Sequence, residues 1–446
     1  MKSENVSTLK EQIAKLAQTT RGKTIMSVNH FITDEWMLAA WQQTRKDGAV
    51  GIDGVTAKEY ESNLIENLAS LKARIKNGTY RAPAVRRAYI PKSDGSLRPL
   101  GIPSLEDKIA QRCIAMVLEC VFEQDFLDCS FGFRPGKSAH QALKALRDQM
   151  MDYRATWLAD IDIQKFFDSI PHKVIREIVA KRVQDGVILR MIAKWLNAGA
   201  FEKGQVVHTT VGTPQGGVIS PILANILLHH VLDEWFERAV KPRMKSASFL
   251  VRFCDDFVMG FEQKSDVDRV MAVLPKRLEK FGLTMHPIKS RVVDFRSPPT
   301  RVKKTELKSF ESKSRKLNTF NFLGFTHLWA TSRNGHWVII QKTAKDRLRR
   351  ALTNLNKWCR ENRHLAMKYQ HKRLCQAMRG HMSYFGITGN SRAVRNFAHK
   401  VPRIWFKWLV RRGRGKRWTW EKHSALLRTA PLPAVRVVHK YTYLSS

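Results

Sequence analysis

Two adjacent acids, Asp255 and Asp256, are the residues of this chain whose type and spacing most directly suggest chemistry. They lie between the apolar runs LVRFC and FVMG, and flanks rich in Val, Phe and Met favour buried β-strands. Neighbouring carboxylates repel each other, and a divalent cation relieves that repulsion. The pair therefore predicts a metal-binding hairpin tip, although a solvated β-turn with two turn-forming aspartates explains this decapeptide alone equally well.

A second acidic segment, WLADIDI over residues 157–163, offers partners for this pair. Asp160 and Asp162 face the same way on a strand, because strand side chains alternate, and Asp168 follows two phenylalanines further on. If this strand lies beside the hairpin, their carboxylates would form a site for two Mg²⁺ ions, which prefer hard oxygen ligands. Two such ions lower the pKa of an attacking 3′-hydroxyl and stabilise a pyrophosphate leaving group. The combination is typical of the palm of nucleic-acid polymerases.

The elements that must position these acids are predicted from hydrophobic periodicity and turn residues. Helices are predicted over residues 9–18, 34–42, 57–77, 106–121, 172–196 and 264–281, from Ser220 onward, and over most of the chain after residue 343. Strands are predicted over residues 80–91, 97–102, 157–163 and 204–210, and on both sides of a turn within 282–295. A hairpin turn at 92–96 and a Pro-, Lys- and Ser-rich linker at 296–316 complete a mixed helical and stranded chain.

Positive charge is concentrated in the last third of the chain. The protein has 78 Lys and Arg residues against 39 Asp and Glu, a net charge of +39, and residues 301–446 hold 34 of the basic residues but only 5 of the acidic ones. A basic surface of this density indicates a polyanionic partner. Because the same region carries Trp, Tyr and Phe, which stack on bases, nucleic acid is a better candidate than membrane lipid.

Composition also narrows the class of protein. With 43% hydrophobic residues, a chain of 446 residues can bury a full core and form two or three domains. No apolar run approaches the ~20 residues of a membrane span, and the polar start MKSEN lacks a secretory signal. The six cysteines include no Cys-x-x-Cys pair, so neither a zinc module nor a disulfide framework is expected. These features predict a cytoplasmic protein that does not enter a membrane.

Seven segments, in order along the chain, resemble the motifs of reverse transcriptases, and more narrowly of those encoded by group II introns. The segments are IPKSDGSLRPLGIP (90–103), CSFGFRPGKS (129–138), WLADIDIQKFFDSIPH (157–172), GTPQGGVISPILANILL (212–228), RFCDDF (252–257), GLTMHPIK (282–289) and FNFLGF (320–325). The resemblance covers about residues 20 to 440. It implies an α+β right-hand polymerase fold, with an N-terminal extension over 1–72, fingers and palm over 73–325, and a helical thumb and maturase region over 326–446.

By this resemblance, Asp162 matches the first catalytic acid, and Asp255 and Asp256 match the acidic pair of the hairpin. The three carboxylates would hold two Mg²⁺ ions. Asp160 and Asp168 are interpreted as neighbours with structural or substrate-edge roles.

The hairpin departs from the family pattern in one respect. The usual motif reads Tyr-Ala-Asp-Asp, whereas Phe253 and Cys254 precede the acids in this chain. Phe keeps the aromatic ring without its hydroxyl, and Cys is only slightly larger than Ala. Because the acids are intact, activity is expected, and the open question is the effect on fidelity or primer placement.

The resemblance also implies contacts to the incoming nucleotide. Lys92 and Arg98 would hold the triphosphate, and Gln215 would touch the nucleotide from a Gly-rich turn. Phe167 matches the aromatic residue that excludes a 2′-hydroxyl by size, and Lys289 matches the proposed proton donor to pyrophosphate. The competing interpretations are a solvated charge for the three basic residues and ordinary core packing for Phe167.

The basic C-terminal part resembles the thumb and maturase region of the same family. One run of cations is expected to bind RNA, namely Arg411, Arg412, Arg414, Lys416 and Arg417. The tryptophans nearby either stack on unpaired bases or form the core of a three-helix thumb, and the core is preferred for most of them: Trp405, Trp408, Trp418 and Trp420. Neither Cys-x-x-Cys nor His-Asn-His follows residue 420, so the endonuclease domain of some relatives is not expected.

The resulting hypothesis is an RNA-directed DNA polymerase that uses an RNA template, a DNA primer and dNTPs, and that also binds group II intron RNA to assist splicing and mobility. Two alternatives stay open. One is a maturase that acts only as an RNA-binding splicing factor, and the other is a domesticated defence- or CRISPR-associated reverse transcriptase.

Overall fold

Two units, each built from two stretches of chain, make up the protein in the computed structural model. The first unit comprises Met1–Ala142 and Leu158–Val292, and the second comprises Leu143–Trp157 and Val293–Ser446. The structure describes residues 5–91, 95, 97–153, 156–202, 205–207, 216–297, 318–332, 335–412 and 418–441. The three-part domain division expected from the sequence stays a prediction.

Several helices of the first unit begin at polar side chains that cap them. Thr33 and Ser104 each accept a hydrogen bond from a backbone N–H in the first turn of the following helix, and Thr56 and Glu59 form a reciprocal capping box. The helices are α1 (Val6–Thr19), α2 (Asp34–Gln43), α3 (Ala57–Glu61), α4 (Leu64–Lys76), α5 (Leu105–Phe122), α6 (Ala139–Asp152, which runs into the second unit), α7 (Phe166–Ser169), α8 (His172–Arg182), α9 (Gly186–Asn197), α10 (Ser220–Leu228) and α11 (Lys264–Glu279).

After α10 the chain continues through two π-helical turns, at His229–Asp233 and Phe236–Val240. Short 3₁₀ turns lie at Asn29–Phe31 and Lys241–Arg243. Each π turn inserts an extra residue into the helical path, and such insertions are often found at functional sites.

The strands form three sheets. They are β1 (Val85–Pro91), β2 (Leu97–Ile102), β3 (Trp157–Asp162), β4 (Ala200–Glu202), β5 (Gln205–Val207), β6 (Ser248–Phe253), β7 (Asp256–Phe261), β8 (Arg291–Asp294), β9 (Phe320–Phe322), β10 (Phe325–Thr331) and β11 (Trp337–Thr343). Their orders are β2-β1-β4-β5, β6-β7-β3-β8 and β11-β10-β9. The second of these sheets carries both acidic segments as neighbouring strands, β7 and β3.

The second unit combines the β9–β11 sheet with helices whose apolar faces form one core. The helices after this sheet are α12 (Lys345–Glu361), α13 (Met367–Phe385), α14 (Ser391–Leu409) and α15 (Trp420–Thr429). Trp405 is fully buried at the centre, Trp408 and Trp418 pack against the core, and Trp420 is 43% exposed. Core packing therefore explains most of these tryptophans, as preferred from the sequence.

Several element boundaries differ from expectation for local reasons. The helix expected over 57–77 breaks between α3 and α4, and that over 172–196 is divided where Asp185 caps α9 through the N–H groups of Val187 and Ile188. The three strands over residues 320–343 were not expected. The turn expected at 92–96 is described only at Gly95, and most of the linker lies outside the described residues. Within the described parts of the chain, no helix is both long and apolar enough to cross a membrane.

Candidate active site

The acidic pair lies at the tip of the β6–β7 hairpin. Phe253 pairs with Asp256 across the two strands, so that Cys254 and Asp255 form a two-residue turn. Cys254 has φ +58°, a left-handed conformation that usually favours Gly at this position of a hairpin. Bulkier residues in such conformations cost free energy and are concentrated at functional sites. The turn is thus held in place by its surroundings rather than by its own preference.

Asp162 and Asp255 share one electrostatic environment. Asp162 ends β3, which neighbours the hairpin strand β7 in the sheet. Burial raises the pKa of the Asp255 carboxyl, the negative charge of Asp162 raises it further, and Arg98 acts in the opposite direction. The carboxylate at the end of β3 therefore lies close enough to the β6–β7 turn for its charge to oppose ionisation of Asp255, a repulsion that a divalent cation relieves.

Lys289 supplies positive charge next to Asp162. Its Nζ lies 3.0 Å from Oδ2 of Asp162, although the lysine side chain is 64% exposed. Among the residues that the structure describes, no three His, Cys, Asp or Glu side chains are arranged as a ready metal site. The donor set of Asp162, Asp255 and Asp256 nevertheless fits hard divalent cations, because it is made only of carboxylate oxygens and the charge of Asp162 acts on Asp255.

The other two acids of the segment are placed differently. Asp160 is half-buried and pairs with Arg291, whose Nε lies 3.4 Å from its carboxylate. Burial raises the pKa of Asp160, with Arg291 opposing the rise. Asp168 lies in the short helix α7 and is half-buried. Their placement is compatible with the structural roles expected for them, which remain predictions.

The residues expected to contact a nucleotide are only partly described. Arg98, in β2 opposite Ile90, is exposed and acts electrostatically on Asp255. Phe167 is half-buried, with its ring edge-on to Phe166. Lys92 and Gln215 lie outside the described residues.

The Gly-rich segment after Gln215 approaches β2 closely. Gly216 has φ +110°, and a Cβ there would come within 2.6 Å of the carbonyl oxygen of Gly101. Glycine is therefore required for both the backbone conformation and the contact.

A buried arginine beneath the hairpin was not recognised from the sequence as a site residue. The Arg252 side chain is completely buried, and all five of its N–H groups donate hydrogen bonds. It forms a two-pronged ion pair with Asp233, at 2.5 and 2.7 Å, and it donates to the side chains of Asn225 and Ser130. Nη1 of Arg252 also donates to the carbonyl oxygen of Cys254, at 3.0 Å. Arg252 thus links three side chains, those of Ser130, Asn225 and Asp233, to the backbone of the β6–β7 turn.

A signal for this network was present in the sequence. An arginine inside the otherwise apolar run SFLVRF is unusual, because Arg is almost never fully buried unless it is paired. The partner could not be identified in advance, since Asp233 reaches Arg252 from a π-helical turn.

A second buried network supports the chain next to the Gly-rich segment. Asp107 is 1% exposed and accepts hydrogen bonds from the Tyr80 hydroxyl, Trp195 Nε1 and Gln111 Nε2, at 2.6, 2.6 and 2.9 Å. Burial raises the pKa of Asp107 to about 6, and the three donors limit the rise. Gln111 in turn accepts from the backbone N–H of Ile219, at 3.2 Å. The network therefore fixes the start of α10.

The second unit carries a basic groove between α12 and α14. Its volume is about 490 Å³, its floor includes Leu352 and Ile404, and four cations line it: Lys345, Arg349, Lys400 and Lys407. Each of these cations is exposed. The groove therefore presents positive charge beside apolar surface.

The predicted RNA-binding run is described only at its start. Arg411 lies over the Trp408 ring at 5.6 Å, and Arg412 donates to the backbone carbonyls of His364 and Leu365. Both side chains remain exposed. Arg414, Lys416 and Arg417 lie outside the described residues.

Comparison with known proteins defines the class to which this fold and site belong. Residues 90–327, more than half of the chain, match the model of the family described as reverse transcriptase (RNA-dependent DNA polymerase). The chain belongs to this family, and the predicted α+β polymerase fold and RNA-directed DNA polymerase class are confirmed.

Individual relatives narrow the resemblance. The chain is 32% identical over 286 residues to protein YkfC of Escherichia coli K12, covering 57% of this chain and 75% of YkfC. It is 36% identical over 193 residues to the group II intron-encoded protein LtrA of Lactococcus lactis, covering 43% of this chain and 32% of LtrA. It is also 36% identical over 174 residues to a putative COX1/OXI3 intron 2 protein of Saccharomyces cerevisiae, covering 39% of this chain and 20% of that protein.

These matches confirm the predicted resemblance to intron-encoded reverse transcriptases. The match spans three quarters of YkfC but only a third or less of the two intron proteins.

Proposed function

We propose that this protein copies RNA into DNA at a site formed by Asp162, Asp255 and Asp256, and that it also binds group II intron RNA. The observation that carries the first part is the shared electrostatic environment of Asp162, at the end of β3, and Asp255, in the turn that leads into the neighbouring strand β7. A family of RNA-dependent DNA polymerases supplies the reaction class.

The three aspartates would hold two Mg²⁺ ions through carboxylate oxygens. When bound, such ions lower the pKa of a 3′-hydroxyl and stabilise the departing pyrophosphate. Arg252 keeps the hairpin backbone in place through the Cys254 carbonyl, and the neighbouring buried acid Asp233 balances its charge. The protein's own contribution is thus to fix the acids before the substrates arrive.

The nucleotide would be held from the fingers side. Arg98 and Lys92 would bind the triphosphate, Gln215 would touch the nucleotide, and Phe167 would exclude a 2′-hydroxyl. Lys289 would act as the proton donor, and its contact with Asp162 supports this role. A lysine in such a site can donate a proton to the leaving pyrophosphate.

Binding of intron RNA would rest on the second unit. Support comes from the four cations of the α12–α14 groove, from exposed Arg411 and Arg412, and from the excess of 29 positive charges over residues 301–446. Stacking of bases on exposed rings such as Trp420 would add to phosphate contacts. A similar intron-encoded protein in Lactococcus lactis makes a group II intron the RNA to test first.

Primer extension on poly(rA)/oligo(dT) with Mg²⁺ tests the polymerase directly. Wild type is expected to extend the primer, and Asp255→Ala is expected to abolish extension while leaving RNA affinity unchanged. Asp268→Ala is the matched control, because Asp268 is an exposed acid on α11 that pairs only with Lys264 in the ion pairs described. A fully active Asp255→Ala variant would contradict the assignment of the site. An inactive wild type that still binds intron RNA would contradict the polymerase and support the alternative of an RNA-binding splicing factor.

The RNA partner requires its own comparison. Affinity for a group II intron RNA is expected to exceed that for an unrelated structured RNA of the same length at the same salt concentration. Equal affinity for the two RNAs would contradict the intron assignment without affecting the polymerase result.

A further inference from the structure

Strained backbone occurs at and next to the candidate active site. Among the described residues, four positions other than Gly have positive φ: Phe133, Lys165, Cys254 and Leu323. Cys254 lies in the catalytic turn, and Lys165 follows Asp162 by three residues. Leu323 lies in the turn between β9 and β10. Phe133 lies beside the hairpin, and the polymerase chemistry described above does not explain its position. A bulky residue in the left-handed region is a genuine outlier, and an observed outlier is a reason to look for function.

The segment around Phe133 is locked against the hairpin. The Phe131 N–H donates to the Arg252 carbonyl at 2.9 Å, and the Arg252 N–H donates to the Cys129 carbonyl at 2.7 Å. At Gly132 a Cβ would come within 2.4 Å of the Cys254 nitrogen, so the two backbones are in direct contact.

The residues on either side of Phe133 are also fixed. The Gly132 carbonyl accepts from Asn225 Nδ2 at 2.7 Å. Arg134 is 7% exposed, pairs with Glu123 at 2.7 Å and donates to the carbonyls of Leu127 and Ser130. The loop therefore has no freedom to turn the Phe133 side chain inward, and the strain at this residue is maintained by its neighbours.

The result is an aromatic ring held out in solvent beside the acids. Phe133 is 59% exposed, and its ring centroid lies 6.3 Å from that of Phe253. Phe253 pairs with Asp256, and directly opposed residues of an antiparallel pair place their side chains on the same face. The two rings and the Asp256 carboxylate therefore share one face of the hairpin.

We infer that Phe133 and Phe253 form a stacking platform for the 3′-terminal nucleotide of the primer strand. This inference rests on the proposed polymerase function. The nucleotide that carries the attacking 3′-hydroxyl must lie next to the catalytic acids, and the platform is on the hairpin that bears two of them. Aromatic side chains bind unpaired and terminal bases by stacking without regard to sequence, as a polymerase requires.

Steady-state kinetics separate this role from a structural one. Phe133→Ala is expected to raise the KM for primer–template about tenfold while changing kcat little, because base stacking contributes mainly to binding. Phe133→Tyr keeps the ring and is expected to restore the wild-type KM. Ile65→Ala removes a 72% exposed apolar side chain from α4 and is the matched control, with no change expected.

A crosslinking measurement on the wild-type protein does not depend on whether any variant folds. A primer that ends in iododeoxyuridine is irradiated in complex with its template and the protein, and the crosslinked peptide is identified by mass spectrometry. The crosslink is expected at Phe133 or Phe253. The same nucleotide placed in the template strand is expected to give no crosslink at these residues.

The outcomes distinguish this inference from the proposed function on which it rests. If wild type extends primers and Asp255→Ala does not, but Phe133→Ala behaves like Ile65→Ala, the platform is contradicted and the polymerase stands. A primer-end crosslink at other residues would equally overturn the platform. If wild type fails to extend any primer, both the function and the platform are overturned.

Discussion

At the scale of single residues, the acids are held by groups that do no chemistry themselves. The fork of Arg252 satisfies Asp233 and still reaches the carbonyl of Cys254, which only a planar guanidinium with several donors can do. A buried ion pair of this kind adds little net stability, since its desolvation offsets its attraction. Its value here is the fixed position of the turn.

Arg252→Lys is expected to lower kcat about tenfold or more without weakening primer binding, because the charge opposite Asp233 remains while the hold on the turn is lost. Single-turnover incorporation measures this effect. Arg238→Lys, at a 79% exposed arginine of the adjoining helical segment, is the control. Arg252→Ala is expected to cost about 3–5 kcal/mol of stability, because Asp233 would be left buried and unpaired. A wild-type kcat for Arg252→Lys would show that the network is only structural.

Asp107 makes a second prediction at this scale, which concerns pH. Burial raises its folded-state pKa from 3.8 to about 6, so the folded protein binds this proton more tightly than the unfolded chain. The resulting stability is fully present below 3.8 and is lost as pH rises through about 6. We expect the free energy of unfolding of wild type, relative to that of Asp107→Asn, to fall by up to about 3 kcal/mol over this range. Urea unfolding at a series of pH values tests this prediction. Asp128→Asn, at a fully exposed side chain, is the control. A pH-independent difference between wild type and Asp107→Asn would contradict the prediction.

At the scale of elements, the hairpin depends on the loop that lies against it. Gly132→Ala would bring a Cβ to 2.4 Å from the backbone nitrogen of Cys254. Because neither the Cβ nor a backbone nitrogen can rotate away, the turn must move. We expect a large loss of nucleotide incorporation with a stability loss of about 1–3 kcal/mol, typical of overpacking. Gly48→Ala is the control, since a Cβ there would meet nothing within 4 Å. Unchanged incorporation by Gly132→Ala would show that the turn is insensitive to the loop.

The elements also show where sequence reasoning succeeds and where it ends. The β6–β7 hairpin, β3 and the cap of α5 at Ser104 follow from local patterns, so they could be predicted. The β9–β11 sheet could not, because short strands with mixed polarity, such as FTHLWAT, give no clear period. The Arg252–Asp233 pair and the exposed Phe133 depend on contacts between distant segments, which no local pattern contains.

At the scale of the whole molecule, charge divides the chain into a catalytic part and a strongly basic part. Affinity for RNA is expected to fall steeply and linearly with the logarithm of salt concentration, because bound cations release counterions from phosphates. Arg411→Ala is expected to weaken binding to different RNAs uniformly and to reduce the salt slope by about one. Lys58→Ala, an exposed lysine on α3, serves as control. A slope unaffected by Arg411→Ala would place the RNA contact elsewhere.

The central claim is that Asp162, at the end of β3, and Asp255, in the β6–β7 turn, belong to one catalytic centre. Single-turnover incorporation of one nucleotide by Asp162→Ala, Asp255→Ala and the double variant tests it most directly. Residues that act as a unit have strongly non-additive effects, so each single variant is expected to lose about a thousandfold or more in rate and the double variant no more than that. Losses that multiply in the double variant, or an Asp162→Ala enzyme that keeps its rate, would contradict the account.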